Sequence, residues 1–283
     1  RLLHQGIVQN GPVSVKAPYQ APYRRPYRRP WRPWPETPPS RLERDNGTSY
    51  TGALEPDMNA HLWAIVLAGG DGQRVASLTT GDDGRSIPKQ YCSFGGRESM
   101  IRWAYARALS VVPRHRILFV VAEQHRRYWE RDLADVPAEN VLVQPRNRGT
   151  AAGVLLAAVD VLFHRDPGAR LLLLPSDHYI ADERILRDAL LDVLRTRGSS
   201  HRRILLLGMI PEHCDPDYGW ILPAGDGVMA GVAHFAEKPN LDLAIALMRR
   251  GALVNSFMMV VQARVLLRAC QQTVPELVQS FVA

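Results

Sequence analysis

Between Trp63 and Ile210 the chain repeats one pattern, a short unbroken apolar run followed by a longer stretch with apolar residues every three or four positions. The runs are Trp63–Ala68, Ile117–Ala122, Val141–Val143, Leu171–Leu174 and Ile204–Ile210. Each is too short for a typical helix, and unbroken hydrophobicity suits a strand covered on both faces. Helices are expected from Ser99 to Val112, from Thr150 to Phe163 and from Glu183 to Arg197, with Ser99 and Thr150 as caps. Alternating strands and helices imply right-handed crossovers between parallel strands. The fold class is therefore α/β, a doubly wound and mostly parallel sheet with helices on both faces. In such sheets ligands bind beyond the carboxyl ends of the strands.

The first run empties into Gly69, Gly70 and Gly72. Without a Cβ, glycine lets the backbone pass close to a ligand, and its N–H groups can then face phosphate oxygens. Arg74 stands in the same loop and Lys89 follows in Pro88-Lys89-Gln90, so a forked cation and a point cation are tethered beside a phosphate-sized cradle. Two familiar glycine motifs are excluded. The dinucleotide fingerprint needs a third glycine where Val75 stands, and the ATPase phosphate loop needs a Gly-Lys-Ser/Thr that is absent.

Other strand ends carry chemistry as well. Asp177, in Pro175-Ser176-Asp177-His178, leaves the Leu171–Leu174 run on the ligand side; it is either a ligand for Mg²⁺, which prefers oxygen donors, or a turn aspartate. His178 reads as a packing neighbour. Gln144 and Asn147, after the Val141–Val143 run, offer paired donors and acceptors suited to a base edge, and Gly149 allows close approach. Past Ile210 the alternation fails. Tyr218–Ile221 and Val232–Phe235 suggest an inserted β subdomain, followed by Glu237-Lys238-Pro239, a helix from about Leu241 to Arg250, and Val254-Asn255-Ser256-Phe257 before the apolar run Met258–Val261. Glu237 can accept from two hydroxyls and Lys238 can neutralise a phosphate, which suits a sugar phosphate; the other reading is a solvated surface pair.

Net charge separates these readings from nucleic-acid binding. The chain of 283 residues carries +7, yet residues 1–57 hold nine Lys/Arg and five Asp/Glu, which leaves 26 and 23 for the remainder. The excess is thus concentrated in a leader with ten of the 21 prolines, including a Tyr/Arg/Pro tract from Tyr19 to Pro35. Proline at that density disfavours helix and central strand, so residues 1–58 are expected to be disordered. Arginine interleaved with aromatics could stack on single-stranded nucleic acid. The alternative is that Met58, the first methionine, is the natural start and the leader a gene-boundary artefact. Nucleic acid and membrane are not expected as partners, since no apolar run approaches the roughly 18 residues of a span. Three scattered cysteines outside any C-x-x-C pattern argue against disulfides and structural zinc, and a cytoplasmic location is expected.

Taken in order, the glycine loop with Arg74, Pro-Lys-Gln, Gln-Pro-x-Asn-x-Gly-Thr, Pro-Ser-Asp-His, Tyr-Gly-Trp-Ile, Glu-Lys-Pro and Asn-Ser resemble the sugar-1-phosphate nucleotidylyltransferases. The Pro-Lys-Gln and Pro-Ser-Asp-His forms are most similar to the mannose-1-phosphate guanylyltransferase members. The resemblance runs from Trp63 to the end and implies a Rossmann-like nucleotidyltransferase domain over residues 59–283 with an inserted sugar-binding β subdomain. It implies transfer from a nucleoside triphosphate, GTP by preference, to a sugar 1-phosphate, mannose 1-phosphate by preference, with Mg²⁺, giving a nucleotide sugar and pyrophosphate; the same reaction with another sugar or base is the alternative. Leu67, Ala68, Gly69 and Gly70 with Gln144 and Gly149 would hold base and ribose, and Arg74 and Lys89 the triphosphate. Asp177 would bind Mg²⁺, Gly219, Glu237 and Asn255 the sugar, and Lys238 its phosphate.

Four departures from the family pattern stand out. Gln73 replaces a small hydroxyl residue, Ala152 replaces proline, and Val254 and Phe257 replace Trp and Gly around Asn-Ser. The fourth is a Trp-x-Asp-x-Gly segment that would bring a second metal carboxylate; it is not found before Ala283, and the chain is expected to be truncated. The competing reading from another class is a non-catalytic protein that binds a nucleotide sugar.

Overall fold

A computed structural model describes residues 13–16, 60–71, 79–80, 86–94, 98–195, 202–227 and 229–282. Gly72, Gln73 and Arg74 lie outside the described residues, as do Met58 and the Tyr19–Pro35 tract.

The strands are β1 (Val13–Lys16), β2 (Leu62–Ala68), β3 (Ile117–Ala122), β4 (Val141–Gln144), β5 (Arg170–Pro175), β6 (Ile204–Met209), β7 (Gly219–Pro223), β8 (Met229–Glu237) and β9 (Leu253–Gln262). They form one sheet in the order β4-β3-β2-β5-β9-β6-β1-β8-β7, with β7 also paired to β9. Among the described strands only β8 and β9 run against the rest, so the expectation of a mostly parallel sheet holds. The expected inserted segment is present as β7 and β8, which continue the same sheet. Val13–Lys16 lies within the leader expected to lack regular structure, and it forms a strand between β6 and β8.

Alternation within each central strand explains the two covered faces. Leu172 and Leu174 point into one core and Leu171 and Leu173 into the other, all four fully buried. Ala64 and Val66 face the first core, and Trp63 and Ile65 the second. Each fully buried aliphatic side chain contributes on the order of 1.5–3 kcal/mol. The first core is closed by helices α1 (Met100–Leu109) and α4 (Glu183–Arg195), with α2 (Arg126–Asp132) at its edge. The second is closed by α3 (Thr150–Asp160), α6 (Ala263–Thr273) and α7 (Pro275–Val282). Helix α5 (Leu241–Arg249) packs on β7 through Ala244 and Leu247.

Two expected caps differ in detail. Ser99 occupies the cap position of α1 but its hydroxyl makes no capping bond, being buried without a partner. At α3 the cap is Gly149, at φ 86°, and Thr150 is the first helical residue. A left-handed backbone favours glycine, so the turn itself calls for Gly149. No helix of the described residues is long and apolar enough to cross a membrane.

Candidate functional site

The chain builds β2, β3 and β4 outward in one direction, then returns to place β5 on the other side of β2. Such a reversal opens a crevice at the carboxyl ends of the two diverging strands. A cleft of about 320 Å³ lies there, lined by Leu67, Gly69 and Gly70 at the end of β2, Gln144, Asn147 and Gly149 at the end of β4, and Pro175, Ser176 and Asp177 at the end of β5, with Lys89 and Phe257.

Polar contacts fix the rim of this cleft. The buried Gln90 side chain donates from Nε2 to the carbonyls of Ala68 (2.9 Å) and Gly70 (2.8 Å), and the Tyr91 hydroxyl donates to the Ala68 carbonyl (3.3 Å). Ala68 is therefore a buried anchor of the loop; its side chain does not line the cleft. Asp71, one step on, accepts from Gln124 (2.6 Å) and lies 3.4 Å from His125 Nε2. Across the cleft, Ser176 Oγ donates to the Leu67 carbonyl (2.6 Å), tying the ends of β2 and β5 together.

Gln144 is 7% exposed at the end of β4, and its amide sits against two glycines. A Cβ on Gly153 would lie 3.0 Å from Gln144 Nε2 and one on Gly69 3.2 Å away, so the small residues leave the space that the amide fills. Asn147 uses its Oδ1 to accept from the Gly149 N–H (2.9 Å). That bond shapes the turn, while the residue still faces the cleft.

Lys89 and Asp177 meet at the mouth, Nζ to Oδ2 at 3.5 Å, both partly exposed. Behind them Arg107 of α1 is almost wholly buried and forks onto Glu183 at the start of α4, with Nε to Oε2 at 2.9 Å and Nη2 to Oε1 at 2.7 Å. The same Nη2 donates to the His178 carbonyl (3.1 Å), so this pair holds the loop carrying Asp177. Burial holds His178 below the ordinary histidine value; Asp177 opposes the shift, and Arg107 and Lys89 reinforce it. His178, read from the sequence as a packing neighbour, also lines the cleft beside Asp177.

The sugar candidates gather on a second rim, brought together by strand register. Gly219 pairs with Glu237 across β7 and β8, and Trp220 pairs with Val254 across β7 and β9. A Cβ on Gly219 would come within 2.7 Å of Glu237 Oε2 and 3.3 Å of the Asn255 Cβ. Lys238 follows with φ 46°, its N–H donating to the Tyr218 carbonyl (3.2 Å). These four do not line the 320 Å³ cleft; Phe257, two residues from Asn255, does.

A larger hollow of about 840 Å³ has a rim that includes Glu98, Arg102, Arg131, Asp132 and Asp135. Its cations are already taken, Arg102 by Asp135 and Arg131 by Asp132, each at 2.6 Å. Glu98 also lies 3.8 Å from Arg102, so three carboxylates surround two arginines and the hollow is poorly suited to a polyanion.

A family model described as Nucleotidyl transferase matches residues 63–277. The chain belongs to that family. ManC of Salmonella typhimurium, a mannose-1-phosphate guanylyltransferase, is 31% identical over 199 residues, covering 67% of this chain and 40% of that protein. The xanthan biosynthesis protein XanB of Xanthomonas campestris pv. campestris is 33% identical over 184 residues, covering 64% of this chain and 37% of that protein. The crystal structure of a Thermus thermophilus protein, described as a mannose-1-phosphate geranyltransferase, superposes with a TM-score of 0.67 at 26% identity, covering 78% of this chain and 63% of the other. The chain spans about two fifths of the length of the curated relatives it matches.

Within this chain the structure brings Leu67, Gly69, Gly70, Lys89, Gln144, Asn147, Gly149 and Asp177 to one cleft. Gln90 and Arg107 went unassigned in the sequence. Gln90 adjoins a quoted lysine, but its hydrogen bonds reach carbonyls about twenty residues back along the chain. Arg107 reads as an ordinary charged residue of an amphipathic helix, and only the fold reveals its burial.

Proposed function

We propose that this chain transfers a nucleotidyl group from a nucleoside triphosphate, GTP by preference, to a sugar 1-phosphate, mannose 1-phosphate by preference, with release of pyrophosphate. The observation that carries the reading is the meeting of Lys89 and Asp177 beneath the glycine loop, at the point where strand order reverses. The names of the relatives at 31% and 33% identity support the guanylyl and mannose preferences.

A sugar 1-phosphate has a second pKa of about 6, so its oxygen is ionised at neutral pH and attacks the α-phosphorus in line without a general base. The cleft must therefore align two anions and neutralise charge. Lys89 supplies a cation, Gly69 and Gly70 allow the chain to approach the phosphates, and Gln144 meets the base. The donor set fits Mg²⁺, a hard ion that takes one or two carboxylates and fills its remaining positions with phosphate and water; Asp177 is the carboxylate that would hold it. When bound, that ion would offset charge on the triphosphate and departing pyrophosphate. Arg74 would add a second cation. Gly219, Glu237, Asn255 and Lys238 would hold the acceptor sugar and its phosphate.

The test is pyrophosphate release across a matrix of nucleoside triphosphates and sugar 1-phosphates with Mg²⁺. Turnover is expected with GTP and mannose 1-phosphate, reduced about a hundredfold or more in Asp177→Asn and Lys89→Ala. Binding of GDP-mannose without turnover under any condition would instead favour a non-catalytic binding protein.

A further inference from the structure

Phe257 sits at the one place where β9 breaks register with its neighbour. Leu206 of β6 pairs with Met259 and Gly208 with Asn255, so two steps along β6 match four along β9. The surplus residues bulge, and a bulge re-aims the side chains it carries. The bulge is rigidly built. Ser256 is fully buried, its Oγ donating to the Leu207 carbonyl (2.6 Å) and accepting from the Met258 N–H (3.1 Å), while Asn255 Oδ1 accepts from the Phe257 N–H (3.0 Å). Together these contacts hold Phe257 at φ 58°, a left-handed backbone that a bulky residue adopts only under constraint.

Glycine would occupy this turn without strain, and a ring adds nothing to the turn itself. What the ring does instead is face the cleft beside Asp177 and His178, beyond the last rung pairing β9 with β5 at Leu173 and Met259. Only one other non-glycine residue among those described has positive φ, and it is Lys238, on the rim that carries Glu237. Strain of this kind concentrates at ligand clamps, where the surroundings enforce it.

We propose that Phe257 determines acceptor specificity: its ring is the platform on which the sugar of a sugar 1-phosphate lies, between Glu237 and Asn255 on one side and Lys89 and Asp177 on the other. This rests on the reading of the cleft given above. A pyranose has an apolar C–H face that complements the negative face of an aromatic ring, and hydroxyl edges that suit a carboxylate and an amide. The platform fixes the plane of the sugar, so the edge groups read hydroxyl orientation and the 1-phosphate, with Lys238 as its counter-charge, is turned toward the triphosphate at Lys89.

The experiment is calorimetric titration of wild type, Phe257→Gly, Phe257→Leu and Phe257→Tyr with mannose 1-phosphate and, separately, with GTP, alongside thermal melts. Expected is a cooperative melt for every variant, a loss of about tenfold in mannose 1-phosphate affinity for the Gly and Leu variants, near wild-type affinity for Tyr, and GTP affinity within about twofold throughout. Unchanged sugar binding in the Gly variant, or equal loss of both ligands, overturns the platform in favour of a merely structural ring. Should the Gly variant fail to fold, the Leu and Tyr pair decides by the same criterion. Wild type that binds GTP but neither mannose 1-phosphate nor another hexose 1-phosphate overturns the platform while leaving the nucleotide cleft standing. Wild type that binds neither ligand type removes both readings together.

Discussion

Gln90 shows how one buried amide can shape a ligand loop. Its two hydrogen bonds hold the carbonyls of Ala68 and Gly70 as the chain leaves β2. Gln90→Ala leaves the Ala68 carbonyl only the longer Tyr91 bond and gives the Gly70 carbonyl to solvent, and the expected cost is about 1 kcal/mol in a denaturant titration, with a raised KM for the nucleotide. Gly153→Ala acts in the opposite manner. Its new Cβ would lie 3.0 Å from the Gln144 amide, so the fold is expected to persist while nucleotide affinity falls about fivefold, measured by titration with GTP. The placement of Gln144 and Asp177 at the cleft was legible in the sequence because strand ends on the ligand side are few, and polar residues there stand out from the apolar runs before them. Gln90 was not, since its partners are main-chain atoms whose position only the folded loop defines.

At the scale of elements, the junction of α1 with α4 rests on a single buried fork. Arg107 is 4% exposed, and besides Glu183 it grips the His178 carbonyl, so two helices and the loop carrying Asp177 depend on one side chain. Arg107→Ala is expected to cost about 3–5 kcal/mol, because a charge is left half-buried without its partner, whereas Arg107→Met with Glu183→Gln should recover much of that loss. Chemical denaturation of the single and double variants checks both statements. Strands β3 and β5 were legible from their unbroken apolar runs, covered on both faces. Only the apolar tail of β9, Met258–Val261, was visible as a run; the polar Asn255 and Ser256 and the bulge at Phe257 interrupt any period-two pattern before it. Helix α2 was hidden too, because in RRYWERD only Trp129 is buried, Tyr128 packs half-buried at the edge of the core, and the charges around them mask any apolar stripe.

For the whole molecule, acid is the expected weakness. Burial holds His125 below the ordinary histidine value, with Asp71 offsetting part of the shift, and His125 Nδ1 is buried without a partner. Burial also lowers His178. A histidine depressed in the fold stays neutral there while the unfolded chain protonates near 6.5, so their contribution is full above that value and is lost as pH falls below it. Denaturant midpoints are expected to drop between about pH 7.5 and about pH 5.5, and to drop less in His125→Gln. The thiols give a second global check. Cys92 and Cys270 are buried and their thiols pushed up, Cys270 to about 11, whereas Cys214 is partly exposed. One fast-labelling thiol among these three is expected in the native protein, and three after denaturation.

Strand β9 runs between β5 and β6 against the direction of both. During synthesis β2 to β6 emerge well before Leu253–Gln262, so the growing chain must carry two unpaired sheet edges for the whole interval. A ribosome stalled before Leu253 therefore displays an open half-sheet of the kind that chaperones shield, and the late arrival of one strand closes both edges at once.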